Sequence, residues 1–141
     1  MVAIVGKTSE IQIDASRWPV VVSTAAEGAL SDEEWQSYLK AYGDLVAERN
    51  EPYVAVVDLR HGGALSPKQR KQLTNAMDDH EETRVECLGH ALVFSSAFLR
   101  GMLTAILWVR QPDYEIKIFA EVDEAVAWGR ELVKAHREKT A

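Results

Sequence analysis

Cysteine is nearly absent from this chain of 141 residues. The lone Cys87 excludes an intramolecular disulfide and a cysteine-based structural zinc site, and allows a reducing compartment. Proline and glycine, at 4 and 8 residues, form no linker or low-complexity tract, and no internal repeat divides the sequence. Long apolar runs are missing too: the most apolar stretch, 97–109, is too short to span a bilayer and carries Arg100. The opening MVAIVGKTSEIQID lacks the basic, apolar and small-residue order of a secretory signal, so a soluble cytoplasmic protein is expected. Positive charge is also in deficit, with 16 Lys and Arg against 22 Asp and Glu, a net −6, and the cations scattered. No nucleic-acid partner and no membrane insertion are therefore expected, since duplex binding needs a basic stripe and an anionic membrane surface attracts basic segments.

What is present suits one globular domain over 1–141, with its core at about 10–135: 47% hydrophobic and 27% charged residues. Ile11 and Ile13 flank polar Gln12, and Val20-Val21-Val22 follows Trp18-Pro19, which predicts two opening strands paired as a hairpin. Ser31-Asp32-Glu33-Glu34 is a capping box, after which Trp35, Tyr38, Leu39, Tyr42, Leu45 and Val46 recur at helical spacing until Asn50-Glu51-Pro52. The apolar run from Tyr53 towards Leu59 has the character of a central strand covered on both faces. A second helix is expected from Ser66, a buried strand at Ala91–Phe94, and a third helix capped by Ser95 or Ser96. Ile116 and Ile118 alternate with Glu115 and Lys117 in a strand nearer an edge, and a last helix starts at about Asp123. The order β-β-α-β-α-β-α-β-α predicts an α/β fold: a single-layer mixed, mostly parallel sheet with about four helices.

In open parallel sheets ligands collect beyond the carboxyl ends of the strands. Two loops qualify, Asp58–Ser66 and Ser95–Arg100, and crossover topology sets them side by side. Ser66, with Pro67 at the first helical position, is a strong N-cap whose hydroxyl is also open to phosphorylation. Gly62-Gly63 matches neither the dinucleotide fingerprint nor a P-loop, so no cofactor is expected. Arg60 and His61 are polar residues at a strand's end, either solvated or in use, and Asp58 is suited to accept loop N–H groups. Ser95, Ser96 and Arg100 would suit a small anion or carboxylate, with Asp58 as an alternative partner for Arg100. The four histidines show no metal spacing, the acidic 78–82 run splays around a helix, and Cys87 has no sequence-adjacent partner. No metal site and no catalytic set is expected.

The leading hairpin, the alternation that follows it and a helix-capping Ser66 after the Val56-Val57-Asp58-Leu59 strand resemble the STAS domain, which includes anti-sigma factor antagonists such as SpoIIAA. The segment Asp123-Glu124-Ala125-Val126-Ala127-Trp128 is similar to that of SpoIIAA-like, STAS/SEC14-type bacterial proteins. The resemblance implies a bacterial regulatory module without enzymatic activity, with a protein partner and with Ser66 in the place of the antagonists' phosphorylatable serine. Here that place reads Ala64-Leu65-Ser66-Pro67, without the family's preceding Asp or following Ser-Gly. Two other readings stay open. One is a small anionic or apolar, lipid-like ligand, and the other is an enzyme using His61 with Asp58 as its orienting carboxylate.

Overall fold

The computed structural model describes residues 4–7 (backbone only), 11–25, 31–60, 86–97, 101 and 115–140. Six strands lie in one sheet whose spatial order follows the chain: β1 (Ile4–Lys7), β2 (Ile11–Asp14), β3 (Val20–Ala25), β4 (Tyr53–Asp58), β5 (Cys87–Val93) and β6 (Glu115–Phe119). The hairpin is β2 against β3, with Ile13 opposite Ser23. The sheet is mixed: β1–β2–β3 pair antiparallel, and β3–β4–β5–β6 pair parallel. The one antiparallel strand expected from the hairpin is β2; β1, which the sequence reading did not assign, adds a second antiparallel pairing at the sheet edge and runs in the direction of β3. Its Ile4-Val5-Gly6-Lys7 is short and shows no alternation, so periodicity has nothing to register there.

Two helices are described over their length; the predicted second helix falls outside the described residues, and of the predicted third only Ala97 and Gly101, both helical, are described. The first, α1 (Asp32–Arg49), connects the parallel neighbours β3 and β4. Ser31 caps it by accepting the Glu34 N–H, and its hydroxyl donates to the Glu34 carboxylate. Asn50 ends it in the left-handed conformation, φ 50°, donating its N–H to the Val46 carbonyl. The other helix, α2 (Val122–Thr140), carries Asp123 and Glu124 in its first turn and Arg137 and Lys139 in its last, both complementing the helix dipole. No helix among the described residues is long and apolar enough to cross a membrane.

The helices cover opposite faces of the sheet, because side chains alternate along each strand. Val21, Ala55 and Tyr53 point to the face under α1, with Trp35, Tyr38, Leu45 and Val46 above them. Val20, Val22, Val54 and Val56 point to the other face, where Ala125, Val126 and Val133 of α2 cover them. As the apolar run predicted, β4 sits inside the sheet between β3 and β5. The alternating 115–119 strand lies at the edge.

Candidate functional site

The four parallel strands finish in step. Thr24 of β3 stands opposite Asp58 of β4, Asp58 opposite Val93 of β5, and Val93 opposite Phe119 of β6. Two backbone bonds carry the ladder past the strand ends: Leu59 N–H donates to the Val93 carbonyl at 2.9 Å, and Phe94 N–H to the Phe119 carbonyl at 3.0 Å. The chain therefore leaves β4, β5 and β6 on one rim, and the Asp58 and Ser95 segments start from neighbouring strands; the rest of both loops lies outside the described residues.

Asp58 is 3% exposed. A buried carboxylate is costly unless hydrogen-bonded, and this one is fully engaged. Its Oδ1 accepts the Arg60 backbone N–H at 3.1 Å, the Asx-type turn anticipated for it, and Arg60 Nε at 2.9 Å. Its Oδ2 accepts Arg60 Nη2 at 3.1 Å, completing a bidentate fork. Arg60 Nη1 lies 3.5 Å from Glu121 Oε2, just before α2. Hydrogen bonding to Asp58, and then its charge, raise the Arg60 guanidinium above its ordinary pKa. Arg60 is therefore a permanently charged clamp between the end of β4 and the start of α2, with its fork taken up by Asp58. Ser95 is exposed and Ser96 half-buried on the same rim. Glu121, Asp123 and Glu124 are exposed beside them, giving this edge a negative rim. His61, Ser66 and Arg100 lie outside the described residues. The proposed Asp58–Arg100 pairing lies outside the described residues; among those described, the partner of Asp58 is Arg60.

Two groups escaped the sequence reading. Glu121 meets Arg60 only because β6 follows β5 in the sheet, which no spacing rule encodes. The second is a Cys87–His90 contact, Sγ to Nε2 3.4 Å, which corrects the reading of Cys87 as lacking a partner. Residues three apart on a regular strand face opposite ways. Here Tyr53 pairs with Cys87 while Val54 pairs with Gly89, so Leu88 is an extra residue in a bulge. The bulge returns His90 to the side of Cys87, opposite Ala55 under α1. The thiol also donates to the Gly89 carbonyl at 3.4 Å. Burial pushes its pKa up to about 11, so at neutral pH it is an uncharged thiol rather than a nucleophile. Among the described residues no group of three His, Cys, Asp or Glu could hold a metal ion.

With this geometry in place, comparison with known proteins is informative at the level of fold. No family model matches the chain, and no curated protein matches it. A solved structure does: an uncharacterised DUF3478-family protein with a SpoIIAA-like fold from Shewanella loihica PV-4, with a TM-score of 0.62, covering 91% of this chain and 93% of that one at 17% identity. The chain has a SpoIIAA-like fold. At that identity the likeness reaches the backbone arrangement and stops short of site chemistry. It agrees with the resemblance drawn from element order. The SpoIIAA-like fold is also that of anti-sigma factor antagonists.

Proposed function

We propose that this protein is a non-enzymatic, cytoplasmic regulatory module of bacterial origin that captures a protein partner on the carboxyl rim of its sheet. One observation carries the reading: the strand ends Thr24, Asp58, Val93 and Phe119 form a single row, closed by the Asp58–Arg60–Glu121 clamp. A clamp that spends its only guanidinium on internal partners fixes a surface in advance, and a preordered surface loses less entropy on association. The exposed Ser95, Glu121, Asp123 and Glu124 give that surface an acidic, hydrogen-bonding character suited to a basic partner patch. The SpoIIAA-like fold supports a regulatory reading by analogy. In the same proposal Ser66 is the switch, because a phosphate at a helix N-terminus adds charge where the partner would approach.

The test compares partner capture by the wild-type protein, Ser95→Arg, Glu121→Lys and Ser66→Asp, each with an unchanged melting curve. Ser95→Arg and Glu121→Lys should each weaken capture by about tenfold or more, since rim substitutions at exposed positions act on binding rather than folding. Ser66→Asp should alter capture while sparing stability, because Asp also caps helices well. Identical capture by all four proteins overturns the proposal.

A further inference from the structure

Away from the rim, two adjoining hollows follow α2 along its length. The larger, about 390 Å³, has Pro19, Val20 and Val133 as an apolar floor, with Arg130, Lys134 and Arg137 standing over it. The smaller, about 300 Å³, shares Arg130 and adds Arg17 with Val126 and Ala127. Arg130, Lys134 and Arg137 are spaced to fall on one stripe of the helix, and Arg17 faces them from the turn between β2 and β3. None of these four cations is in an ion pair among the described residues. The carboxylates that line the hollows are Asp123 and Glu138, so the groove is cationic in a chain whose net charge is −6. Asp123, at one end of the smaller hollow, and Glu124 sit in the first turn of α2, where the dipole favours them. Helix-dipole pairing accounts for Arg137 in the last turn but not for Arg130, which is mid-helix, or for Arg17, which is on the opposite wall.

We infer that this groove is a second binding site, for an extended acidic peptide segment whose carboxylates alternate with apolar side chains. From Asp123 to Glu138 the helix advances about 22 Å, at about 1.5 Å per residue. That is the length of about six residues of extended chain. Cations spread along such a length match several spaced charges, whereas a single headgroup would engage one or two of them. Between the charges the accessible apolar lining is Pro19 and Ala127, over the buried Val20, Val126 and Val133, and apolar side chains can rest there where a sugar-phosphate backbone cannot. The overall −6 also opposes the dense charge of a polynucleotide. The groove is built on the last helix and the strand that opens the parallel part of the sheet, and it shares no residue with the Asp58–Arg60–Glu121 clamp.

The test uses fluorescence anisotropy with the full chain and a dye-labelled hexapeptide of alternating Glu and Leu. Wild-type protein should bind it below about 1 mM, with affinity falling as salt rises. The R130E/K134E double variant should lose about tenfold or more, and R130Q/K134Q less, each with an unchanged circular dichroism spectrum and melting curve. S95R, on the rim, should leave the peptide affinity unchanged, which separates this site from the rim surface. Equal binding by R130E/K134E, equal binding of the Gln-for-Glu peptide, tighter binding of a labelled hexathymidylate, loss of binding in S95R, or no binding by wild type would each overturn the inference.

Discussion

Beneath α1 the sheet is covered by a run of aromatic rings and hydroxyls; beneath α2 it is lined by valines, with glycines admitting close approach and Phe119, Trp128 and Leu132 packed at the side. On the first face Trp18 stacks on Tyr53 with centroids 5.8 Å apart, and Tyr42, Tyr38 and Trp35 continue the series at 6.2, 5.9 and 5.5 Å. Rings of this size leave polar atoms inside, and the fold pairs two of them: the Tyr38 hydroxyl donates to Ser23 at 2.9 Å, and Trp18 donates its indole N–H to Glu51. Apart from the Asp58–Arg60 clamp at its end, the second face avoids polar groups and gains close approach instead. A Cβ built on Gly129 would stand 3.0 Å from Val54 Cγ1 and 3.2 Å from Val20 Cγ2. On Gly89 it would meet Leu132 Cδ1 at 2.8 Å and Trp128 Cη2 at 2.9 Å. One set of strands thus supports a thick, aromatic layer on one side and a thinner one, charged only at the Asp58–Arg60 clamp, on the other. The lesson is that alternation decides which residues share a face, while side-chain volume decides how far the covering helix stands off.

The sharpest way to break the comparison is to hollow out the thick side. Trp35→Ala removes a ring that is 3% exposed and should cost about 3–5 kcal/mol in urea unfolding, with the cavity too broad for α1 to close. A cost below about 1 kcal/mol would mean the aromatic layer is loosely packed. The thin side is probed by overfilling. Gly129→Val should destabilise by about 1–3 kcal/mol, since the valines beneath have no room to retreat. Its control is Gly43→Ala on α1, where a Cβ meets nothing within 4 Å; it should stabilise by about 0.5–1 kcal/mol through helix propensity. If both substitutions move the midpoint in the same direction, the contrast in packing is not real.

The third probe is pH, to which the two sides should respond differently. Burial raises Cys87 from an ordinary 9.0 to about 11 and Tyr38 from 10.0 to about 12, and it also raises Tyr42 and Tyr53. These groups release protons from the unfolded chain first. Above pH 9 the unfolded state therefore binds fewer protons than the native state, and stability falls as pH rises. The contribution is complete below pH 9 and is lost through pH 11 to 12, on the order of 3 kcal/mol each for Cys87 and Tyr38. Unfolding midpoints measured from pH 8 to 11.5 should show this decline, and Cys87→Ala should delay its onset by about one pH unit. A profile unaltered by that substitution would remove Cys87 from the account.

Much of this architecture was legible in local chemistry. The capping box at Ser31, the stop at Asn50, the hairpin of Ile11–Ile13 with Val20–Val22 and the alternation of 115–119 each depend on near neighbours in the chain. The site was legible in part. Asp58 was correctly read as accepting a loop N–H, because an Asx turn is closed two residues away. Asp58 was offered as a candidate partner for Arg100, which lies outside the described residues, and the fork that Arg60 beside it forms was not anticipated. The sequence offers both arginines and no distance between them. Ser66, His61 and Arg100, on residues outside those described, keep the standing of expectations.

By itself the sequence determined which residues alternate, which segments are capped and which strand is apolar enough to lie inside, because period, cap and composition act over a few bonds. Tertiary structure alone decided that Glu121 meets Arg60, that a bulge at Leu88 turns His90 back to Cys87, and that Arg17 faces Arg130 across an apolar floor. Those contacts join residues tens of positions apart or hang on a single extra residue in a ladder. Strand order and register set them, through the packing of the whole sheet.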